Sequence, residues 1–312
     1  MNKVRFSVFA DIHIHNHWAP GSIDRLNAIL DRAKREEVDF VIHCGDFCTP
    51  PGYLEALEIY NNFELPTYHV MGNHDFDQLP HDEVLKAYGL KSGYYYFDKN
   101  GFRFIVLDEN YCRIDGEDVP YSAGNYFKHP TCREYISQEQ IVWLEKTVMS
   151  SPYPMVVLSH GSLQLEDVRG GAVRNREDVQ SIFRKAHESG KRILMCINGH
   201  YHVDYMRIYE HVCYFDVNSA TMYCLNSKDG PHDKFGEEFH KNHPGSAHLL
   251  IYNEPVHAIV TLSDDGCIEI EGMKGSFFKG VSKEMVSDSS CHNAIKITPN
   301  VLSEKLILPM KL

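Results

Sequence analysis

Five apolar runs in this chain stop abruptly at side chains that ligate metals, and that recurrence constrains the fold more than any other feature. Residues 4–10 run into Asp11-Ile12-His13, residues 38–44 into Gly45-Asp46, and residues 67–71 into Gly72-Asn73-His74-Asp75. Residues 155–159 run into His160-Gly161, and residues 192–197 into Asn198-Gly199-His200-Tyr201-His202. Short apolar runs bounded by turn residues read as buried strands. Between the first two, Ile23, Leu26, Leu30 and Ala33 share one face of a helix that reaches about residue 37, with Ser22 as its N-cap. A shorter helix is expected over 53–61. Alternating strands and helices call for parallel strands joined by crossovers. Such strands end at one edge of the sheet, outside which ligands of open α/β sheets collect.

The middle of the chain reads as a hairpin, 94–98 and 102–107, followed by 109–135, a stretch rich in Gly, Pro, Asp and Tyr without a clear period. Long irregular segments inside compact domains are usually either functional or mobile. Ser137 with Gln140 three residues on forms a capping-box pattern, opening a helix with Ile141, Leu144 and Val148 inward. Asn175 is placed to cap another, with Val179, Ile182, Phe183 and Ala186 inward. Beyond His202 the pattern changes to strands without helices: 205–209, 212–217, 248–252, 257–262 and 267–271, with Asp264-Asp265-Gly266 as a hairpin turn. Residues 226–244 read as an exposed charged loop. No repeat or linker divides the chain, so one domain is expected over 1–278. Residues 279–312 then form a tail that packs on it, since Ile295, Ile297, Val301, Leu306 and Leu308 are costly to leave in water.

Composition narrows the partners. The formal net charge is −12 and the lysines and arginines are dispersed, which opposes a nucleic-acid polymer as partner. No stretch approaches the ~20 apolar residues of a membrane span. Arg5 and Ser7 interrupt the first apolar run and Asp11 follows it, the wrong shape for a secretory signal. Nine scattered cysteines, several of them (Cys44, Cys196, Cys213) inside apolar runs, suit a reducing cytoplasm. Oligomeric state is left open.

The five strand ends together offer Asp11, His13, Asp46, Asn73, His160, His200 and His202. Mixed carboxylate, amide and imidazole donors suit Mn, Fe or Zn. Seven ligands exceed the needs of one ion and match two divalent or trivalent ions sharing a carboxylate, an arrangement that can clamp the attacking and leaving oxygens of a phosphate ester.

These blocks, D-x-H, G-D, G-N-H-D, a lone H and G-H-x-H, stand in order from Asp11 to His202 and resemble those of the calcineurin-like metallophosphoesterases. The resemblance implies an α/β fold, a four-layer αββα sandwich of two mixed β-sheets flanked by helices. It implies one metal held by Asp11, His13, Asp46 and His202, and a second by Asp46, Asn73, His160 and His200, with Asp46 bridging. It further implies His74 and Asp75 as catalytic residues, His74 contacting the phosphate or protonating the leaving oxygen and Asp75 orienting its ring. The expected reaction is hydrolysis of a small, cyclic-nucleotide-like phosphodiester by in-line attack of a metal-bridging hydroxide, without a phosphorylated enzyme. A phosphomonoesterase or nucleotide pyrophosphatase of the same fold is the alternative, and a non-catalytic metal-binding scaffold a distant one. Asp-Ile-His-Ile-His alone also resembles the opening of amidohydrolase barrels, which leave Gly-Asn-His-Asp and Gly-His-x-His unexplained. Substrate choice is expected in 110–135, 163–175 and 226–244. His15, His17, Arg169 and Arg174 read as loop residues, Cys48 as core filler, and Tyr126, Tyr201 and Tyr205 as possible stacking partners for a base.

Overall fold

In the computed structural model, residues 2–164, 172–225, 232–286 and 296–308 are described. The first half alternates as its pattern requires: β1 (Lys3–Phe9), α1 (Ser22–Arg35), β2 (Phe40–Cys44), α2 (Leu54–Asn61), β3 (Thr67–Val70) and α3 (His81–Tyr88). β1, β2 and β3 pair in parallel. Next come the hairpin β4 (Tyr95–Lys99) and β5 (Phe102–Val106), a second small hairpin β6 (Tyr111–Ile114) and β7 (Glu117–Pro120), then α4 (Gln138–Met149), β8 (Met155–Leu158), α5 (Arg176–Glu188) and β9 (Ile193–Asn198). The strand-rich remainder is β10 (Tyr205–Tyr209), β11 (Val212–Asp216), β12 (Met222–Cys224), α6 (Glu237–Asn242), β13 (Leu249–Ile251), β14 (Ala258–Ser263), β15 (Cys267–Gly272) and β16 (Glu304–Ile307).

Two six-stranded mixed sheets result, in the orders β16-β15-β14-β1-β2-β3 and β10-β11-β9-β8-β5-β4. Their layering follows from strand alternation. On β2, Phe40 and Ile42 enter the core between the sheets while Val41 enters the core under the helices. On β5, Phe102 and Phe104 point to the shared core and Ile105 to the opposite face, under α4 and α5. The sheets meet through rings: Phe104 contacts Phe6 edge-on at 5.3 Å and Phe40 at 4.9 Å between centroids. Strands buried on both faces explain why the runs are continuously apolar rather than alternating. The four layers are therefore helices α1–α3, sheet, sheet, helices α4 and α5, the expected αββα sandwich.

Several local expectations need correction. Gly21, at φ 73, caps α1, and Ser22 is its first helical residue, bonded to Ala19 O instead. Asn175 occupies the cap position of α5, but its side chain serves the backbone of Ile136, accepting from Ile136 N and donating to Ile136 O. Ser137 does cap α4, accepting from Gln140 N at 3.3 Å. The stretch read as irregular carries β6 and β7. Helix α3, absent from the sequence reading, buries Val84, Leu85 and Tyr88 against the first sheet's helix-side core. Past residue 279 the chain supplies β16, which extends the first sheet by pairing antiparallel with β15, while Val301 and Leu308 are buried in the shared core. Ile295 lies outside the described residues.

Candidate metal centre

The five ligand-bearing turns follow β1, β2 and β3, parallel to one another in one sheet, and β8 and β9, parallel to each other in the other. Their loops are stitched together by backbone bonds, Asp11 N to Gly45 O (3.1 Å), His13 N to Asp46 O (3.0 Å) and Gly199 N to His160 O (3.0 Å). Glycine permits these approaches. A Cβ on Gly72 would collide with Asp46, one on Gly45 with the His160 ring, and one on Gly199 with Asp11, Ala10 and the Cys44 carbonyl.

The ligand residues themselves carry the more telling backbone. Asp11 (φ 49°), His13 (45°), Asp46 (51°), His200 (70°) and His202 (55°) all occupy the left-handed region. That conformation costs a side-chain-bearing residue roughly 1–3 kcal/mol and persists only where the surroundings over-determine it, typically at functional sites. Here Ser219 Oγ donates to Asp11 O (2.7 Å) and Thr221 Oγ1 to Ile12 O (2.8 Å), holding the first turn in place.

The side chains fall into two groups, Asp11, His13 and His202, and Asp46, His160 and His200. Each carboxylate has one oxygen satisfied by backbone: His200 N donates to Asp11 Oδ2 (2.8 Å) and His74 N to Asp46 Oδ1 (2.9 Å). The other oxygens face the rings. Asp11 Oδ1 is buried without a hydrogen-bond partner and lies 3.2 Å from His202 Nε2. Asp46 Oδ2 lies 3.2 Å from His160 Nε2 and 3.7 Å from His13 Nε2, so it faces both groups. His160 Nδ1 and His202 Nδ1 are engaged by the carbonyls of Cys44 and Met222, both at 2.8 Å, which turns the two Nε2 lone pairs inward.

Ring nitrogens then face one another: His13 Nε2 and His202 Nε2 at 3.2 Å, His200 Nδ1 and His160 Nε2 at 3.1 Å, with Asn73 Oδ1 3.2 Å from His160 Nε2. Donor atoms sharing an ion at ~2.0–2.2 Å stand about 3–3.5 Å apart, so these spacings and the orphaned Asp11 oxygen fit a pair of cations. For the protein alone, the imidazoles split in their affinity for protons. Burial depresses all four. Asp46 and then Asp11 outweigh burial at His160 and hold it at about 10, and Cys224 and Asp11 hold His202 well up, whereas burial keeps His13 and His200 well down.

Beside the second group stands His74, partly exposed. Burial lowers its affinity for protons, but the charge of Asp46 and a hydrogen bond donated to Asp77 outweigh it and raise the ring to about 9. The carboxylate on this ring is Asp77, with Oδ2 2.9 Å from Nδ1, and not Asp75 as expected. Asp75 instead folds back onto the backbone, accepting from Gly72 N (2.7 Å), Phe47 N (2.9 Å) and the Tyr88 hydroxyl (2.6 Å). The reason is the 3-10 turn Asn73–Phe76, in which a residue three positions on eclipses the first, so His74 meets Asp77. The acid at i+3 in Asn73-His74-Asp75-Phe76-Asp77 is the available signal.

Trp18 and Phe127, which the sequence reading does not name, also stand at the site. Trp18 stacks on His13 at 4.8 Å and meets His74 edge-on at 5.8 Å, and Phe127, 57% exposed, lies 6.5 Å from His74. Of the tyrosines proposed to stack on a base, Tyr126 and Tyr201 are buried, and Tyr205 carries Arg207 over its ring. His15 packs on the Tyr53 ring at 5.0 Å and accepts from the backbone of the exposed His17. Arg174 is spent on the carbonyls of Arg133 and Pro130. Cys48 is buried beside Tyr88, and Arg169 lies outside the described residues.

Two adjoining groups of candidate cation ligands, assembled from opposed sheets next to a partly exposed histidine, are what a metal-dependent phosphoric ester hydrolase requires, and the chain is one of that class. It belongs to the calcineurin-like phosphoesterase family, whose model matches residues 4–204. Among solved structures it is similar to a dimetal phosphatase from Danio rerio, at 15% identity and a TM-score of 0.60, covering 86% of this chain and 95% of that one. It is similar too to GAP50, the anchor in the inner membrane complex of Plasmodium, at 13% identity and 0.57, covering 100% and 90%. The purple acid phosphatase PPD1 from yellow lupin, Lupinus luteus, gives 17% and 0.52, covering 88% and 52%. At these identities the likeness is one of fold. A search of curated proteins finds no match. No helix among the described residues is long and apolar enough to cross a membrane.

Proposed function

We propose that this phosphoesterase hydrolyses a small, nucleotide-like phosphodiester of the cyclic-nucleotide type. The observation that carries the reading is the character of the rim. Around His74 stand Trp18 and Phe127, while its charged neighbours are Asp46 and Asp77. A monoanionic diester asks less positive charge of the protein than a dianionic monoester does, and an exposed phenyl ring offers a base or other aromatic group a surface to stack on.

Asp11, His13, Asp46 and His202 would hold one ion and Asp46, Asn73, His160 and His200 the other, with Mn, Fe and Zn all compatible with the donors. When bound, the ions supply charge neutralisation for the phosphoryl oxygens and make water acidic enough to attack near neutral pH. His74 does the remaining work from this chain. Its Nδ1 is taken by Asp77, so Nε2 is the nitrogen that can give a proton to the departing oxygen. Asp75 acts at one remove, holding the turn that carries Asn73 and His74. The eight described cysteines are free thiols, five of them buried, which supports the cytoplasm as compartment.

Metal analysis of the purified protein, followed by kinetics on paired cyclic and open nucleotide substrates with added Mn, tests the proposal. The expected result is kcat/KM at least about tenfold higher for the cyclic diester than for the matching monoester, a difference of ~1.4 kcal/mol. A monoester preference overturns the diester reading, and a phosphorylated side chain trapped during turnover overturns direct attack by water.

A further inference from the structure

One hydrogen-bonded chain beside the metal centre joins two residues outside both ligand sets, Asp77 and Tyr126, to His74 and to Asn73. Asp77 Oδ2 holds His74 Nδ1 at 2.9 Å, the Tyr126 hydroxyl donates to Asp77 Oδ1 at 2.5 Å, and Asn73 Nδ2 donates to the same hydroxyl at 3.3 Å. We propose that Asp77 and Tyr126 are positioning residues, which clamp His74 with Nε2 presented to the leaving oxygen and tie that ring to the metal-ligating Asn73 as one unit. This rests on the reading of His74 as proton donor.

The clamp is itself anchored. Tyr126 is 1% exposed and stacks on Tyr121 at 4.4 Å between centroids. It sits on the short 3-10 turn Asn125–Lys128, which is fastened to the strand-end turn bearing His74 by Gly124 N to Phe76 O (2.9 Å) and Ala123 N to Leu79 O (2.8 Å). A phenol–carboxylate bond this short is charge-assisted, among the stronger kinds in proteins. A partly exposed imidazole would otherwise sample several rotamers and both neutral tautomers. With Nδ1–H committed to Asp77, one tautomer and one ring plane remain. As the P–O bond to the leaving group breaks, its electron pair stays on the leaving oxygen, which takes the Nε2 proton. The ring becomes neutral with Nδ1–H still on Asp77, and the attacking water leaves its oxygen on phosphorus and yields a proton to solvent.

The test compares Asp77→Asn and Tyr126→Phe with wild type on two phosphodiesters that differ only in leaving group, nitrophenyl or alkyl, together with metal content and side-chain nitrogen NMR of the metal-free protein. A nitrophenolate departs without help, whereas an alkoxide needs the proton. Both variants should keep wild-type metal content and KM. Their kcat should fall roughly 10–100-fold on the alkyl ester, at most about threefold on the nitrophenyl ester, with Tyr126→Phe the milder. The slowly exchanging His74 Nδ1–H resonance should disappear in Asp77→Asn. Equal losses on both esters, lost metal, or an unchanged Nδ1–H resonance overturn the inference. If metal-loaded wild type cleaves neither ester, the phosphodiesterase reading has failed, and the resonance still decides whether Asp77 holds the ring.

Discussion

The two groups that could each hold a cation sit in different surroundings. Asp11, His13 and His202 are all buried, with Trp18 stacked on His13. In the second group Asp46 and His160 are buried too, but His200 is partly exposed, as are Asn73 and His74 beside it. A closed socket favours tight, static binding, while an open one leaves coordination positions for water or substrate. The contrast leaves the second group the more open of the two, while His74, its ring 5.6 Å from that of His13 between centroids, reaches both.

The largest effect should come from the residue that joins the halves. Asp46→Asn is expected to lose both ions and lower turnover by roughly a thousandfold or more, beyond the loss typical of a single electrostatic donor. Metal analysis beside kcat/KM checks this, and retention of one full equivalent of metal would assign Asp46 to one group alone. His74→Ala should lower kcat by about a hundredfold and leave both metals bound, since its side chain belongs to neither group; metal loss equal to that of Asp46→Asn would merge the two roles.

Gly199→Ala strikes the seam between the two groups. Its Cβ meets Asp11 of the first group and the Cys44 carbonyl that engages His160 of the second, so the cost should be roughly 1–3 kcal/mol in a denaturant melt, with both metal equivalents weakened. Smallest is the pH effect on loading. His160 is held at about 10 in the protein alone, so near neutral pH it carries a proton that a cation must displace. Affinity at the open group should therefore fall as pH falls, by about tenfold per unit for each proton released. Calorimetry in buffers of different ionisation enthalpy counts those protons, and pH-independent binding between 6 and 8 would contradict the assignment.

Much of the fold was legible because its strands are buried on both faces and its crossovers amphipathic. α1, β1 and β2 announce themselves through patterns that water enforces. Caps and small elements were harder. Ser22 loses the N-cap to Gly21 because the chain enters α1 in the left-handed conformation, and Asn175 is claimed by the distant backbone of Ile136, a long-range contact that local pattern does not encode. Strand β16 depends on a free edge of β15 and has little hydrophobic signature of its own.

At the site, the donor inventory was set by residue type and by position after each strand. Asp, Asn and His at parallel strand ends can serve little else so economically, and their order along the chain is that of the family. The tertiary structure decided how those donors are divided and aimed. Five of the seven proposed ligands turn inward through left-handed backbone, which only the neighbouring loops can stabilise. It also decided that Asp77 rather than Asp75 holds His74, because a 3-10 turn and a tyrosine some fifty residues away set the partner, and that Trp18 and Phe127 frame the mouth. Chemistry of the side chains is local and can be read in one dimension. Direction is fixed by packing between segments that meet only when the two sheets close.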